Sequence, residues 1–226
     1  MTTPSITVTY LFDPLCGWCY AAAPALNYLQ GVEVIEVALA PTGLFAGAGA
    51  RPMDAQFAAC AWANDQRIQQ LTGQLFTQAY RDHILGAANR RFDSGPATLA
   101  LTAVAQTAPD RELEALHALQ HARYVEGRDT ADAAVIADVL ISLGLQAAAD
   151  LLRKSHDALR AALLERVAAA RATMRCWGPK ACRNWRLRGR AGRCSRWVVM
   201  HCSGRVTHCW RGCKRLRFEG CRAPHF

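Results

Sequence analysis

The sequence, 226 residues long, predicts an α/β fold in which a small sheet domain carries a large helical insertion. Three observations predict it. A strand, a helix and a second strand follow one another within the first 40 residues. A helical pattern then continues for roughly 120 residues, which is too much helix for a plain three-layer α/β fold. This pattern ends near residue 174, where the composition changes abruptly.

Residues 1–53 are predicted to form a strand–helix–strand unit. Residues 5–12 are rich in β-branched and aromatic side chains, as strands are. Residues 17–30 have a helical pattern, and Pro24 is expected to kink this helix without ending it. Residues 32–40 have the pattern of a second strand. A connection of this kind makes the two strands parallel.

Residues 54–173 are almost entirely helical in pattern and are predicted to be the inserted domain. Short turns rich in Gly, Pro and Asp divide this stretch into several helices. Asp93 or Ser94 is expected to cap a helix that starts near Pro96. Thr130 is expected to cap a later helix in the same way.

The chain divides sharply at residue 174 in charge and in cysteine content. Residues 1–174 hold 13 Lys and Arg against 17 Asp and Glu and sum to −4. Residues 175–226 hold 14 basic residues against one acid and sum to +13, and seven of the ten cysteines lie there. The net charge of +9 therefore comes from residues 174–226, which we call the tail.

The hydropathy and the start of the sequence favour a cytoplasmic protein. No stretch reaches the ~18 consecutive apolar residues that cross a membrane. The first residues, MTTPSITVTYLF, have neither the basic region nor the small-residue cleavage site of a secretion signal. We therefore expect a soluble cytosolic protein without a membrane partner. In that compartment stable disulfides are uncommon, and a cysteine pair is more often catalytic or metal-bound.

Two cysteines, Cys16 and Cys19, lie in the segment DPLCGWCY directly after the first strand. Such a pair can bind a metal, close a structural disulfide or exchange electrons. A structural zinc site needs a second pair at matching spacing, and the chain has no second Cys-x-x-Cys. A disulfide that closes so small a ring stabilises little. The position at the passage from strand to helix favours redox chemistry.

At that position Cys16 is expected to lie at a helix N-terminus. Free N–H groups and the helix dipole lower the pKa of a thiol there and favour the reactive thiolate. Cys19, one turn later, is expected to be less exposed and to resolve the mixed disulfide. Trp18 is predicted to cover the site, and Asp13 to shape the turn rather than to transfer protons. The residues predicted to shape the site are Asp13, Pro14, Gly17 and Trp18.

The segment TYLFDPLCGWCYAAAPAL resembles the active-site region of the DsbA family of thioredoxin-fold proteins, and most of all their FrnE-like cytosolic branch. Residues 92–104 and 124–145 also resemble that branch, so the similarity covers about residues 5–174. The resemblance implies a thioredoxin-like fold with a large inserted helical domain, in agreement with the pattern along the chain.

The resemblance also implies a thiol–disulfide oxidoreductase, acting as reductase or isomerase, with Cys16 as the nucleophile and Cys19 as the resolving thiol. Its substrates would be disulfides of proteins or small thiols, and it would need no cofactor beyond its own thiols. Non-redox relatives, the kappa-class glutathione transferases and the isomerases of the chromene-carboxylate type, usually have Ser-Pro in place of Cys16-Gly17. The two thiols therefore point away from those relatives. Cys60 has no partner by spacing and is predicted to be a buried, inert core residue.

Thioredoxin-fold enzymes place a cis-proline loop, typically Gly-Val-Pro before a strand, beside the cysteine pair. The tail has only Trp177-Gly178-Pro179-Lys180 at that place, and no strand pattern follows it. The codons for Cys176–Trp185, stepped back by one base, permit Val-Leu-Gly-Ser-Lys-Gly-Val-Pro-Gln-Leu. Our hypothesis is that residues from about Arg175 onward are the product of a frameshift. In that case we expect the chain to lack the proline loop and the last two strands, and so to have an incomplete sheet.

Two other interpretations of the tail rank behind the frameshift. Its charge and its interleaved tryptophans are typical of a nucleic-acid-binding arm, which would make the chain a binding protein. A metal cluster could be drawn from four Cys and His residues, but their spacing matches no zinc pattern. The tryptophans are Trp177, Trp185, Trp197 and Trp210, and the metal candidates are Cys202, His208, Cys209 and Cys213. Nucleic acid is therefore not an expected partner.

Overall fold

Two parallel strands start the fold. The computed structural model describes residues 6–87, 90–154, 157–177, 184–189, 195–200 and 206–208. Strand β1 (Ile6–Phe12) pairs in parallel with strand β2 (Ile35–Pro41), in a register that places Ile6 opposite Ile35. The predicted strand–helix–strand unit with parallel strands is therefore confirmed.

Helices α1 (Gly17–Tyr20) and α2 (Ala23–Gln30) connect the two strands. The sequence predicted one kinked helix over residues 17–30, and the structure has two helices instead. Pro24 lies in the first turn of α2, where its missing N–H group costs no hydrogen bond, so a new helix starts there. As a result α1 is a single turn that begins directly after Cys16.

The predicted helical insertion follows β2. Helices α3 to α9 and a π-helix lie there, together with two very short strands that pair with each other. Strand β3 lies just before the predicted start at residue 54, and α9 continues four residues past the predicted end at residue 173. The bounds are β3 Arg51–Pro52, α3 Ala55–Thr72, α4 Gln78–Tyr80, the π-helix Arg81–Leu85, β4 Arg91–Phe92, α5 Gly95–Thr107, α6 Glu112–Tyr124, α7 Ala133–Ser142, α8 Gln146–Lys154 and α9 Asp157–Trp177, with 3-10 turns at Gly47–Gly49 and Pro109–Arg111. No helix in the described ranges is both long and apolar enough to span a membrane.

The helix caps of the insertion differ in part from the prediction. Asp93 accepts a hydrogen bond from the first N–H group of α5, as expected for one of the two candidates. Ser94 at the N-cap makes no capping bond, because its hydroxyl donates to the Asp13 carboxylate, 2.8 Å away. The prediction of Thr130 as the cap of α7 was wrong. The cap is Asp132, which directly precedes the helix and whose carboxylate accepts from a first-turn N–H group.

Three strands in the tail extend the sheet, so the expectation of an incomplete sheet was wrong. They are β5 (Asn184–Gly189), β6 (Ser195–Met200) and β7 (Val206–His208). The sheet order is β2-β1-β5-β6-β7, and β5 pairs antiparallel with β1. The sequence pattern misled because strands pair through main-chain N–H and C=O groups, which every sequence has. The place expected for the proline loop begins at Trp177, the last residue of α9, and its remaining residues, 178–180, lie outside the described residues.

One hydrophobic core joins the β1–β2 pair to the inserted helices. Phe12 in β1, Leu101 in α5 and Leu116 in α6 are fully buried in it. Helix α9 crosses β2, where the Arg166 guanidinium donates to the backbone carbonyl of Leu39 at 3.3 Å. Helix α1 contacts α3 of the insertion. The carboxyl end of β1 therefore lies where the sheet meets the insertion.

Candidate active site

Both motif cysteines lie at the carboxyl end of β1. Cys16 is the N-cap residue of α1, with extended backbone at φ −88° and ψ 115°, and Cys19 lies within the helix. The Cys16 carbonyl accepts from Cys19 N at 2.8 Å and from Tyr20 N at 3.0 Å, which closes the first turn. Both thiols are free; Cys16 is partly exposed and Cys19 is buried. The predicted helix-start position of Cys16 and the lower exposure of Cys19 are confirmed.

The two thiols differ in acidity because a hydrogen bond from Cys19 stabilises the thiolate of Cys16. A hydrogen bond from the Cys19 side chain is the largest cause that lowers the pKa of Cys16, while burial opposes it. Backbone N–H groups of Cys19 and Trp18 lower the pKa of Cys16 further, and the Asp13 carboxylate raises it. The same side-chain hydrogen bond, followed by burial, raises the pKa of Cys19 well above its usual range. Cys16 is therefore the thiol that ionises first.

Asp13 holds the turn together from inside the protein. Its Oδ1 atom accepts from Leu15 N at 3.0 Å. Its Oδ2 atom accepts from Phe45 N at 3.1 Å and from the Ser94 hydroxyl at 2.8 Å. Burial raises the pKa of Asp13, whose residue is only 1% exposed, and these hydrogen bonds limit the rise. Asp13 thus joins three parts of the chain around the turn, and the adjacent Pro14 is buried with it.

Replacing Asp13 by asparagine is expected to lower the free energy of unfolding by about 2–4 kcal/mol. The new amide NH2 group would face a backbone N–H donor in either orientation, Leu15 N at the Oδ1 position or Phe45 N at the Oδ2 position. Ser94→Ala is the matched control, because it removes one hydrogen bond and should cost about 1 kcal/mol. Urea unfolding followed by tryptophan fluorescence measures both variants. Similar small losses in the two would contradict a central role of Asp13.

Three tyrosines pack against the motif from the core. The Tyr10 hydroxyl donates to the Cys19 carbonyl at 3.0 Å, and the Tyr124 hydroxyl donates to the Leu15 carbonyl at 2.8 Å. The Tyr20 ring stacks on the Tyr124 ring, with centroids 4.9 Å apart. Burial is the largest cause that raises the pKa of each phenol, so all three remain protonated donors at neutral pH. Tyr10 and Tyr124 thus fix the backbone on both sides of Cys16, and Tyr20 packs against Tyr124.

A buried acid of α3 lies against Gly17. A Cβ atom at Gly17 would lie only 2.6 Å from Asp65 Oδ1 and 3.0 Å from Ile68 Cδ1, so position 17 has no room for a side chain. Asp65 is 5% exposed and accepts from the Tyr80 hydroxyl at 2.9 Å. Burial raises the pKa of Asp65 to about 6, although the Tyr80 hydrogen bond and the Arg123 charge lower it. The glycine of the motif is therefore required by the close approach of the insertion.

Asp65, Tyr10 and Tyr124 are absent from the residues that the sequence predicted for the site. Asp65 does carry a signal, since it lies eight residues after Phe57 and three before Ile68, on the apolar stripe of α3. An acid on such a stripe indicates a buried carboxylate with a role. The tyrosines carry no such signal, because aromatic residues at strand or helix spacing ordinarily indicate core packing.

Asp65→Asn is expected to raise the free energy of unfolding by up to about 3 kcal/mol at pH 7.5, at about 1.4 kcal/mol per pKa unit. An acid whose pKa rises on folding, here from 3.8 to about 6, stabilises the fold fully below the lower value. This stabilisation is lost as the pH rises through the higher pKa, because the buried carboxyl group then becomes charged. Asparagine cannot acquire that charge. Urea unfolding should show the gain at pH 7.5 and almost none at pH 4. The exposed Asp82→Asn is the control, and a gain of equal size at both pH values would argue against this explanation.

Two predicted residues remain: Trp18, which lies at the site, and Cys60, whose burial was wrongly predicted. Trp18 is partly buried and packs against the core next to the thiols, where it was predicted to cover them. Cys60 is exposed, so the prediction of a buried position was wrong. The buried face of α3 passes through Ala61 and Asp65, and Cys60 is turned about 100° away from Ala61.

Known proteins resemble the chain in sequence and in structure. Residues 7–175 match the model of the DSBA-like thioredoxin domain family. The cytosolic disulfide reductase DsbM from Pseudomonas aeruginosa is 32% identical, with a TM-score of 0.73, over 85% of this chain and 88% of that chain. The same reductase with GSH gives 33% identity and a TM-score of 0.70 over 81% and 88%. Among curated proteins no match is found.

A structure from Nitrosomonas europaea, 22% identical, matches with a TM-score of 0.68 over 86% of this chain and 89% of that chain, and this shows the fold alone. The family match covers nearly all of the strand that leads to Cys16, the cysteine pair and the inserted helices up to residue 175 of α9. It agrees with a thioredoxin-like α/β fold that carries an inserted helical domain. The chain therefore belongs to the DSBA-like thioredoxin domain family and is a DsbA-type oxidoreductase.

Proposed function

We propose that the chain is a cytoplasmic disulfide reductase of the FrnE-like branch, which exchanges its Cys16–Cys19 dithiol with disulfides of proteins or small thiols. The observation that carries this proposal is the contrast between the two thiols. Cys16 is partly exposed and has a lowered pKa, whereas Cys19 is buried and has a raised one. Attack requires an accessible thiolate, and resolution requires a second thiol that waits until the first has reacted.

In the proposed reaction the Cys16 thiolate attacks one sulfur of a substrate disulfide, and the other substrate sulfur leaves as a thiolate. The mixed disulfide removes the negative charge that the Cys19 side chain had stabilised. The Cys19 thiol then gives its proton to the departing thiolate or to water and attacks the Cys16 sulfur, which releases the second substrate thiol. The substrate has gained two electrons, and the chain is left with a Cys16–Cys19 disulfide.

An external thiol must then reduce that disulfide, and we expect this thiol to be small. The similar DsbM is named a cytosolic disulfide reductase, and one of its structures is with GSH. This supports a cytoplasmic location and glutathione, or a thiol of the same class, as the electron source. In a compartment at the redox poise of the cytosol the dithiol form is favoured, so net reduction or isomerisation is expected rather than net oxidation.

Reduction of insulin by the whole chain, with glutathione as reductant, tests the proposal. The chain should accelerate the reaction above the rate of glutathione alone, and it should also release glutathione from a glutathionylated peptide. Cys16→Ser is the matched background, because it retains every other cysteine of the chain, including those of the tail. If the unaltered chain is no faster than this variant on both substrates, the proposed function is wrong.

A further inference from the structure

The insertion contributes a buried charged cluster that thiol–disulfide exchange does not by itself require. Arg123 of α6 is 1% exposed, and its guanidinium makes no hydrogen bond within the described residues. Its nearest acid contact is Asp129 Oδ1 at 4.0 Å, and its Cζ atom lies 5.8 Å from the centre of the Tyr80 ring. Tyr80 in turn donates to Asp65 at 2.9 Å. A buried acid, a buried cation and a phenol are thus packed together.

This cluster reaches the cysteine pair through Asp65 and Tyr124. Asp65 Oδ1 lies so close to the Gly17 backbone that a Cβ atom there would be 2.6 Å from it. Tyr124 donates to the carbonyl of Leu15, the residue before Cys16. The charges of Asp65 and of Cys16 both act on the Tyr124 phenol and raise its pKa. The Asp65 carboxylate and the Cys16 thiol therefore both lie within electrostatic range of the Tyr124 phenol.

We propose that Asp65 is a positioning residue of the dithiol: from the insertion it holds a carboxyl group against the Gly17 peptide, and its negative charge makes Cys16 harder to ionise. The rate of Cys16 chemistry then depends on the charge on Asp65 as well as on the thiol itself. The role of Cys16 as the attacking thiol rests on the proposed function, whereas the effect of the Asp65 charge on the ionisation of Cys16 does not.

The groups that face Asp65 set the direction of the effect. Tyr80 from α4 and Arg123 from α6 stabilise the carboxylate, and Tyr124 from α6 is neutral at physiological pH. On the motif side Asp65 lies against Gly17, the residue directly after Cys16, and an ionised Asp65 would repel the Cys16 thiolate. The pKa of Asp65, raised to about 6 by burial, places the change of charge inside the physiological range. Asp13, the other acid that acts on Cys16, already accepts three hydrogen bonds at the turn.

Alkylation of Cys16 by iodoacetamide, followed by mass spectrometry across pH 4.5–9, measures this effect. The unaltered chain should show two steps in its rate profile, one near pH 6 and one from the thiol, because the two groups titrate together. In Asp65→Asn the step near pH 6 should disappear. The variant should also react about three- to tenfold faster at pH 7, which corresponds to a Cys16 pKa lower by about half a unit to one unit.

Two further variants separate charge from structure. Tyr80→Phe removes a donor to the carboxylate, so the low-pH step should remain and move to higher pH. Asp82→Asn makes the same chemical change at an exposed acid and should leave the profile unchanged. If Asp65→Asn fails to fold, as judged by circular dichroism, the shift in Tyr80→Phe decides. A low-pH step that survives in Asp65→Asn, or that does not move in Tyr80→Phe, would overturn the proposal.

Alkylation needs only a thiolate and no substrate disulfide. The profile therefore remains interpretable if the chain reduces neither insulin nor glutathionylated peptide, in which case only the proposed function fails. Active chain with a single-step profile would instead reject the role of Asp65 and leave the proposed function intact.

Discussion

Replacing Cys16 by serine is expected to lower the rate of disulfide reduction at least about 10³-fold. A serine hydroxyl is a weak nucleophile at neutral pH and cannot form a mixed disulfide. Cys19 cannot take over the attack, because it is buried and its pKa is raised. Insulin reduction with glutathione measures the loss. A variant that retains about a tenth of the rate or more would remove Cys16 from the mechanism.

The roles of the two thiols can then be distinguished by the mixed disulfide that accumulates when one of them is replaced. Cys19→Ser leaves the attacking thiol in place and removes the one that displaces the substrate, so a mixed disulfide between Cys16 and the substrate should be trapped. Mass spectrometry under non-reducing conditions detects this species. Cys60→Ser is the control, because Cys60 is exposed on α3 outside the pair and its loss should leave the rate unchanged. Trapped substrate in Cys16→Ser would reverse the assigned roles.

The architecture could be predicted where a single stretch of sequence decides it. The strand pattern of residues 5–12, the breaking pair Asp13-Pro14 and the helix after it are adjacent, so the turn that carries Cys16 follows from local pattern. The helical insertion could be predicted from the sheer length of its pattern. The start of α7 was harder to predict, because two candidate caps, Thr130 and Asp132, lie near it. Only Asp132 directly precedes the helix.

The surroundings of the cysteine pair could not be predicted in the same way, because they come from distant parts of the chain. Tyr124 reaches Leu15 across 109 residues, and Ser94 reaches Asp13 across 81. Only the packed structure brings these groups together. The error at Cys60 has the same origin, since residue type predicts burial on average and the face of α3 decides it at this position.

The second prediction with a large expected effect concerns the reading frame of the gene segment that encodes the tail. Reading the codons from about residue 175 one base back should place Gly-Val-Pro at positions 181–183, because a one-base step keeps each residue in its place along the chain. These positions directly precede β5, the strand that pairs with β1. The family match ends at residue 175, where the composition changes. The shifted frame would therefore supply the loop that the family places beside its thiols, immediately before the strand that is present.

The chain translated in that frame is expected to melt about 6–12 °C above the present one, since a gain of roughly 3 kcal/mol corresponds to such a shift in a domain of this size. The core face of a sheet is normally apolar, whereas residues 175–226 hold 14 basic residues and one acid. The chain in the restored frame should also reduce insulin at least about tenfold faster, because the family resemblance implies a proline loop beside the thiols, where it would help to orient a substrate disulfide.

The nucleotide sequence is the first test of this hypothesis, and a shifted frame that lacks Gly-Val-Pro or soon meets a stop codon would reject it. The restored chain is the second test. Replacing its loop proline by alanine should remove most of the gain in rate and leave most of the gain in melting temperature, because the proline borders the thiols while the apolar strands carry the stability. Equal loss of both gains would mean that the frame restores the fold alone and contributes nothing specific to the chemistry of Cys16 and Cys19.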